Sequence, residues 1–108
     1  YMLHLTAQNF DTETYNSTAW VIVMFYANWC GKCAMMKPVF EDLAKKYRSQ
    51  IKFFQVDIES SPSLAQKYQT DIVPAFFFFK NGQIEAAFDG IIDEKTFDIR
   101  IQKIFRNC

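Results

Sequence analysis

The chain has 108 residues, half of them apolar, with twelve basic side chains balanced by twelve acidic ones. That length fits one domain spanning 1–108, and a globule of this size buries roughly 65% of its unfolded surface, so no disulfide staple is needed. No basic patch or stripe marks a nucleic-acid binder, and the longest apolar run, Ala19 to Ala27, falls short of the about 20 residues that span a membrane.

The elements follow in chain order. Met2–Leu5 reads as a short strand and Phe10–Tyr15 as a short helix. Trp20–Tyr26 is an unbroken apolar run, the pattern of a central strand covered on both faces. Cys33 to about Tyr47 is a helix, with Met36, Phe40, Leu43 and Tyr47 on one face and Glu41/Lys45 and Asp42/Lys46 paired on the other. Pro38 lies inside it and, lacking an N–H, should kink it. Ile51–Asp57 is a second long strand. Ser61 is placed to cap a helix that Pro62 begins and that runs to about Tyr68. Ala75–Lys80 and Gln83–Asp89 flank Asn81-Gly82, the strongest short signal for a hairpin. Asp93 caps a last helix whose apolar face is Phe97, Ile101, Ile104 and Phe105. Strand–helix–strand units favour parallel pairing and the hairpin adds an antiparallel pair, so the class is α/β, a mixed sheet with helices on both faces.

Chemistry concentrates in Trp29-Cys30-Gly31-Lys32-Cys33. Three cysteines cannot close a disulfide framework; two are three positions apart and the third, Cys108, ends the chain. That usage suits a redox or metal site. Disulfide exchange needs a thiolate, and a free cysteine of pKa about 8.5 is only ~3% ionised at pH 7. A helix N-terminus offers unpaired N–H groups and partial positive charge, worth about 0.3–1 kcal/mol to an anion. Cys30, ahead of the helix, can be exposed and is the expected attacker; Cys33, a turn inside, is placed to resolve the mixed disulfide. Gly31 leaves the turn free of a side chain over the sulfurs, and Lys32 adds positive charge. Zinc is the competing reading of a CxxC pair, but only Cys108 and His4 remain to complete four ligands. Inert core thiols are the other, and a strand-to-helix junction is a poor place to hide them.

These residues resemble the thioredoxin family, and the resemblance covers nearly the whole chain. Phe25 to Cys33 is similar to the family's active-site signature and Pro38 to its helix-kinking proline. Asp71-Ile72-Val73-Pro74-Ala75-Phe76 is similar to the segment with its cis-proline. Phe78-Phe79-Lys80-Asn81-Gly82 matches its hairpin, and Gly90 its glycine after the last strand. The resemblance implies a thioredoxin fold, a central mixed five-stranded sheet flanked by four helices. It implies a cis Pro74 lying against the disulfide, with Val73 offering main-chain groups to an extended substrate. Trp29, Gly31, Lys32, Val73, Pro74 and Gly90 would line the docking surface.

Three positions depart from the family's common pattern. Lys32 stands where many members have proline, and Met24 where many have a buried aspartate. The lysine that accompanies that aspartate is matched with Phe53. Losing both charges together is coherent, since one buried charge without its partner is costly. Met24 cannot accept the proton of Cys33, which must go to water, to the departing thiolate or to another group. Replacement by simple packing is the alternative reading of the same two positions. Lys32 should favour the Cys30 thiolate and make the couple more oxidising, against the apolar surroundings of Met24 and Phe53, which raise thiol pKa values.

The resemblance implies a thiol–disulfide oxidoreductase, a protein-disulfide reductase that binds no cofactor. Its redox-active Cys30–Cys33 disulfide would take electrons from NADPH through a separate flavoprotein resembling thioredoxin reductase. Its partners would be disulfide-containing proteins, and the chain would be a monomer with no nucleic-acid or membrane partner. A dithiol oxidase or isomerase, or a non-catalytic module that holds partners beside Pro74, are the alternatives. No N-terminal segment has the order of a signal peptide, so the cytoplasm is expected. An extracytoplasmic site remains open if a precursor was trimmed ahead of Tyr1. Cys108 reads as a free tail thiol ahead of a regulatory or dimer-forming one, and His4 as a structural residue on an edge strand.

Overall fold

The computed structural model describes residues 2–106, so the expectations for Tyr1 and Cys108 lie outside the described residues. In chain order the elements are β1 (Leu3–His4), α1 (Phe10–Glu13), β2 (Trp20–Tyr26), α2 (Gly31–Lys46), β3 (Ile51–Asp57), α3 (Pro62–Lys67), β4 (Ala75–Lys80), β5 (Gln83–Asp89) and α4 (Glu94–Ile104). The strands form a five-stranded sheet in the order β1-β3-β2-β4-β5. β3 runs parallel to both β1 and β2, and β4 is antiparallel to β2 and β5. This is the mixed thioredoxin-type sheet with four helices that the resemblance implies.

The apolar run that forms β2 is central because both of its faces are buried. Val21, Val23 and Phe25 join one core with Phe10, Phe54, Leu64 and Phe79. Ile22 and Met24 join the other, with Phe40, Phe76, Phe78, Phe97 and Phe105. α2 and α4 bury their apolar faces on this second core. Their outer edges are tied by Asp98, whose carboxylate accepts hydrogen bonds from Lys46 and Tyr47. α2 runs unbroken through Pro38.

Local chemistry explains most boundaries. Asp93 caps α4 as expected, its carboxylate accepting the Thr96 N–H at 2.8 Å, and that bond holds the Asp93 carboxyl below its usual range. Ser61 differs from expectation, because its side chain makes no cap bond. Asp57 does the ordering there: its carboxylate accepts from Glu59 N–H at 2.9 Å and from the Ser60 hydroxyl at 3.2 Å. The Asn81-Gly82 turn has both residues at positive φ, 53° and 77°, the primed geometry that matches strand twist. A Cβ on Gly82 would lie 2.5 Å from the Tyr15 carbonyl oxygen. Gly82→Ala is therefore expected to cost more than about 1 kcal/mol in denaturant unfolding, from left-handed backbone strain plus this clash. A loss below about 0.3 kcal/mol would mean that the turn relaxes freely.

Candidate active site

β2 ends at Tyr26, and a short turn brings Cys30 to the start of α2 with its N–H donating to the Ala27 carbonyl at 3.3 Å. α2 begins at Gly31, two residues earlier than the sequence reading places it. The reason is Cys30 itself. Its backbone is extended (φ −92°, ψ 111°) and its Sγ accepts the Cys33 N–H at 3.1 Å, so a thiol does the capping work usual for Ser or Asp. An N–H aimed at sulfur stabilises negative charge there.

Both cysteines are free and buried, Cys30 only 9% exposed and Cys33 only 4%. The expectation of an exposed attacker is corrected: the Val73–Pro74 segment lies over Cys30, whose thiol points to the Val73 carbonyl at 3.6 Å. The Val73–Pro74 peptide bond is cis, as the resemblance implies. Burial, then the hydrogen bond shared with Cys30, pushes the Cys33 thiol up to about 12. The two sulfurs thus occupy different electrostatic settings within one helical turn.

The remaining expected residues fall into two groups. Val73 and Pro74 are buried against Cys30, and Gly90 joins them by donating its N–H to the Pro74 carbonyl at 2.9 Å, with φ at 94°. Trp29 (67% exposed), Gly31 and Lys32 form the outer surface beside the pair. A Cβ on Gly31 would meet nothing within 4 Å. The absence of a side chain therefore keeps the surface low; the turn itself does not require glycine. Two exposed apolar side chains escaped the sequence reading, Ile72 beside Val73 and Ile91 beside Gly90. Their signal was available, since each is a large apolar residue in a loop beside a residue expected at the docking surface.

Behind Cys33 lies a cleft of about 150 Å³ lined by Met24, Tyr26, Asn28, Cys33, Lys37 and Gln55 among others. Here the match of Phe53 to a partner of residue 24 is corrected. Met24 registers with Gln55, whereas Phe53 registers with Ile22 and packs on Phe40 at 5.1 Å between ring centroids. The pair is therefore not wholly apolar: one member is a buried amide. Tyr26 reaches His4, whose Nε2 lies 2.7 Å from the hydroxyl, so the edge-strand histidine braces this wall. Among the described residues no group of three or more His, Cys, Asp or Glu side chains is placed to hold a metal ion. No helix of the described residues is long and apolar enough to cross a membrane.

Comparison with known proteins identifies the family. A family model described as Thioredoxin matches residues 1–103. Thioredoxin Y2, chloroplastic, of Arabidopsis thaliana is 36% identical over 97 residues, covering 90% of this chain and 58% of that protein. Thioredoxin M-type, chloroplastic, of Pisum sativum is 30% identical over 112 residues, covering 94% of this chain and 65% of that protein. A thioredoxin-like protein of Synechocystis is 32% identical over 91 residues, 84% of each chain. The chain spans between about half and two thirds of the length of the plant relatives.

Proposed function

The chain belongs to the thioredoxin family, and on that premise we propose that it is a protein-disulfide reductase working through Cys30 and Cys33. The family supports thiol–disulfide oxidoreduction in general. The observation that supports the finer reading is the Cys33 N–H aimed at the Cys30 sulfur at 3.1 Å, a donor that favours a thiolate at the attacking position. The Cys30 thiolate attacks a substrate disulfide, whose S–S bond breaks as a mixed disulfide forms and one substrate thiolate leaves. Cys33, deprotonated, then attacks the Cys30 sulfur, forms the Cys30–Cys33 disulfide and expels the second thiolate. Two electrons pass to the substrate, and the two protons released by the cysteines balance those the substrate thiolates take up.

Trp29, Gly31, Lys32, Val73, Pro74 and Gly90 form the docking surface in this reading, with Ile72 and Ile91 extending its apolar area. NADPH, through a flavoprotein, returns the electrons. In this reading residues 1–108 act as one thioredoxin domain, without self-association. Cytoplasmic residence stays part of the proposal, with a plastid beside it as the compartment named for the plant relatives.

The oxidase reading draws on Lys32 and on the absence of a carboxylate at Met24. Equilibration with dithiothreitol or glutathione buffers separates the two. The expected potential lies above the about −270 mV of a Gly-Pro thioredoxin, because the exposed Lys32 cation favours the reduced form, yet well below the about −120 mV of a dedicated oxidant. A value near −120 mV overturns the reductase reading, and one at or below −270 mV overturns the role given to Lys32.

A further inference from the structure

The exchange steps leave one buried polar side chain without a task. Gln55 is 2% exposed, and its side-chain amide makes no hydrogen bond among the described residues. Every side-chain N or O atom sealed from solvent among those residues has a partner. The Gln55 amide therefore meets solvent, and the place where it does so is the cleft that it lines together with Cys33. Strand register sets His4, Gln55 and Met24 side by side on one face of the sheet. Tyr26 stands two positions after Met24 on the same face, its hydroxyl held by His4 at 2.7 Å. A single hydrogen bond leaves a hydroxyl further capacity to donate or accept, and an amide carries two donors and an acceptor.

A water site needs about 10–15 Å³ and two to four polar partners. The cleft, at about 150 Å³, has the room, and Gln55, Tyr26, Asn28 and Lys37 line it beside Cys33.

We propose that Gln55, with Tyr26, holds a water beside Cys33 that takes the Cys33 proton as this residue resolves the mixed disulfide. Gln55 and Tyr26 are positioning residues, and His4 fixes the Tyr26 hydroxyl. The inference rests on the exchange reading above. In the step, the S–H proton of Cys33 passes to the water and out through the cleft mouth. The sulfur's electron pair forms the bond to Cys30, and the bond from Cys30 to substrate breaks. The leaving thiolate takes a proton from solvent. The buried Cys33 thiol, pushed up to about 12, is a group that needs such an acceptor. The titratable groups around it are Cys30, Lys37 of α2 and Tyr26 of β2, and Tyr26 in turn faces His4 of β1 and the Asp57 carboxylate of β3.

Stopped-flow reaction with dithiobis(nitrobenzoate), in the full chain carrying Cys108→Ser, reads both steps. The first thionitrobenzoate released reports attack by Cys30, and the second reports resolution by Cys33. Gln55→Leu is expected to slow the second release by about tenfold or more at pH 7 and to leave the first unchanged. The deficit should shrink as pH rises toward the ionisation of Cys33, and Gln55→Glu should restore the rate. An unchanged second release in Gln55→Leu overturns the proposal. Should that variant slow both steps through misfolding, Tyr26→Phe decides: selective slowing of the second release supports the water site, and an unchanged rate overturns it. Absence of the first release in the parent overturns the exchange reading itself, which is distinguishable from either result.

Discussion

In a Cys33→Ser variant, attack on a protein disulfide is expected to stop halfway, leaving substrate joined to Cys30, whereas Cys30→Ser should form no such adduct. The asymmetry follows from the two sulfurs' surroundings. Cys30 caps α2 and accepts an N–H at 3.1 Å, which suits a thiolate. Cys33 is 4% exposed and its thiol is pushed up to about 12. A thiol raised by burial and by its bond with Cys30 stays protonated at neutral pH, so it is a poor first attacker. It becomes effective once the mixed disulfide places an electrophilic sulfur beside it, because the second step is intramolecular. Turnover should fall by at least about a thousandfold in either variant, the scale of losing a nucleophile. Non-reducing gels and mass spectrometry of the insulin adduct, in a Cys108→Ser background, read the difference. An adduct that accumulates on Cys30→Ser instead would reverse the assigned roles.

Phe76→Ala is expected to cost about 3–5 kcal/mol, the range for truncating a fully buried phenylalanine. Phe76, the second residue of β4, is 0% exposed. Its ring stacks on Phe88 at 4.9 Å, meets Phe97 edge-on at 5.0 Å and contacts Phe40 at 5.7 Å. It thus links the sheet to both α2 and α4, and each aromatic pair adds about 0.5–1.5 kcal/mol beyond the area buried. Against a total stability of about 5–15 kcal/mol this is a large share, and the thermal midpoint should fall by more than about 10 °C. A loss under about 1 kcal/mol would mean that the second core repacks around the gap.

The strands and the site segment were legible in the sequence for physical reasons that act locally. An apolar run such as Trp20–Tyr26 must be buried, Asn81-Gly82 supplies positive φ, and the spacing of Cys30 and Cys33 needs only one helical turn. What escaped depends on groups brought together from afar. Cys30 is covered by a carbonyl 43 positions along the chain, which no local pattern reports. The partner of Met24 was placed at Phe53 because a strand repeats every two residues. Phe53 and Gln55 therefore share a face and look equivalent until register chooses between them. The same choice of register places a buried amide beside the resolving cysteine. The helix start was missed because a sulfur performs the cap, a role that residue-type rules give to oxygen.

Insulin reduction driven by dithiothreitol shows whether Cys30 and Cys33 turn over protein disulfides. Catalytic amounts of the wild-type chain are expected to accelerate precipitation of the insulin chains over dithiothreitol alone, and Cys30→Ser to leave the uncatalysed rate. A wild-type chain that gives no acceleration would mean that the pair is not catalytic and that the protein holds its partners without exchanging disulfides.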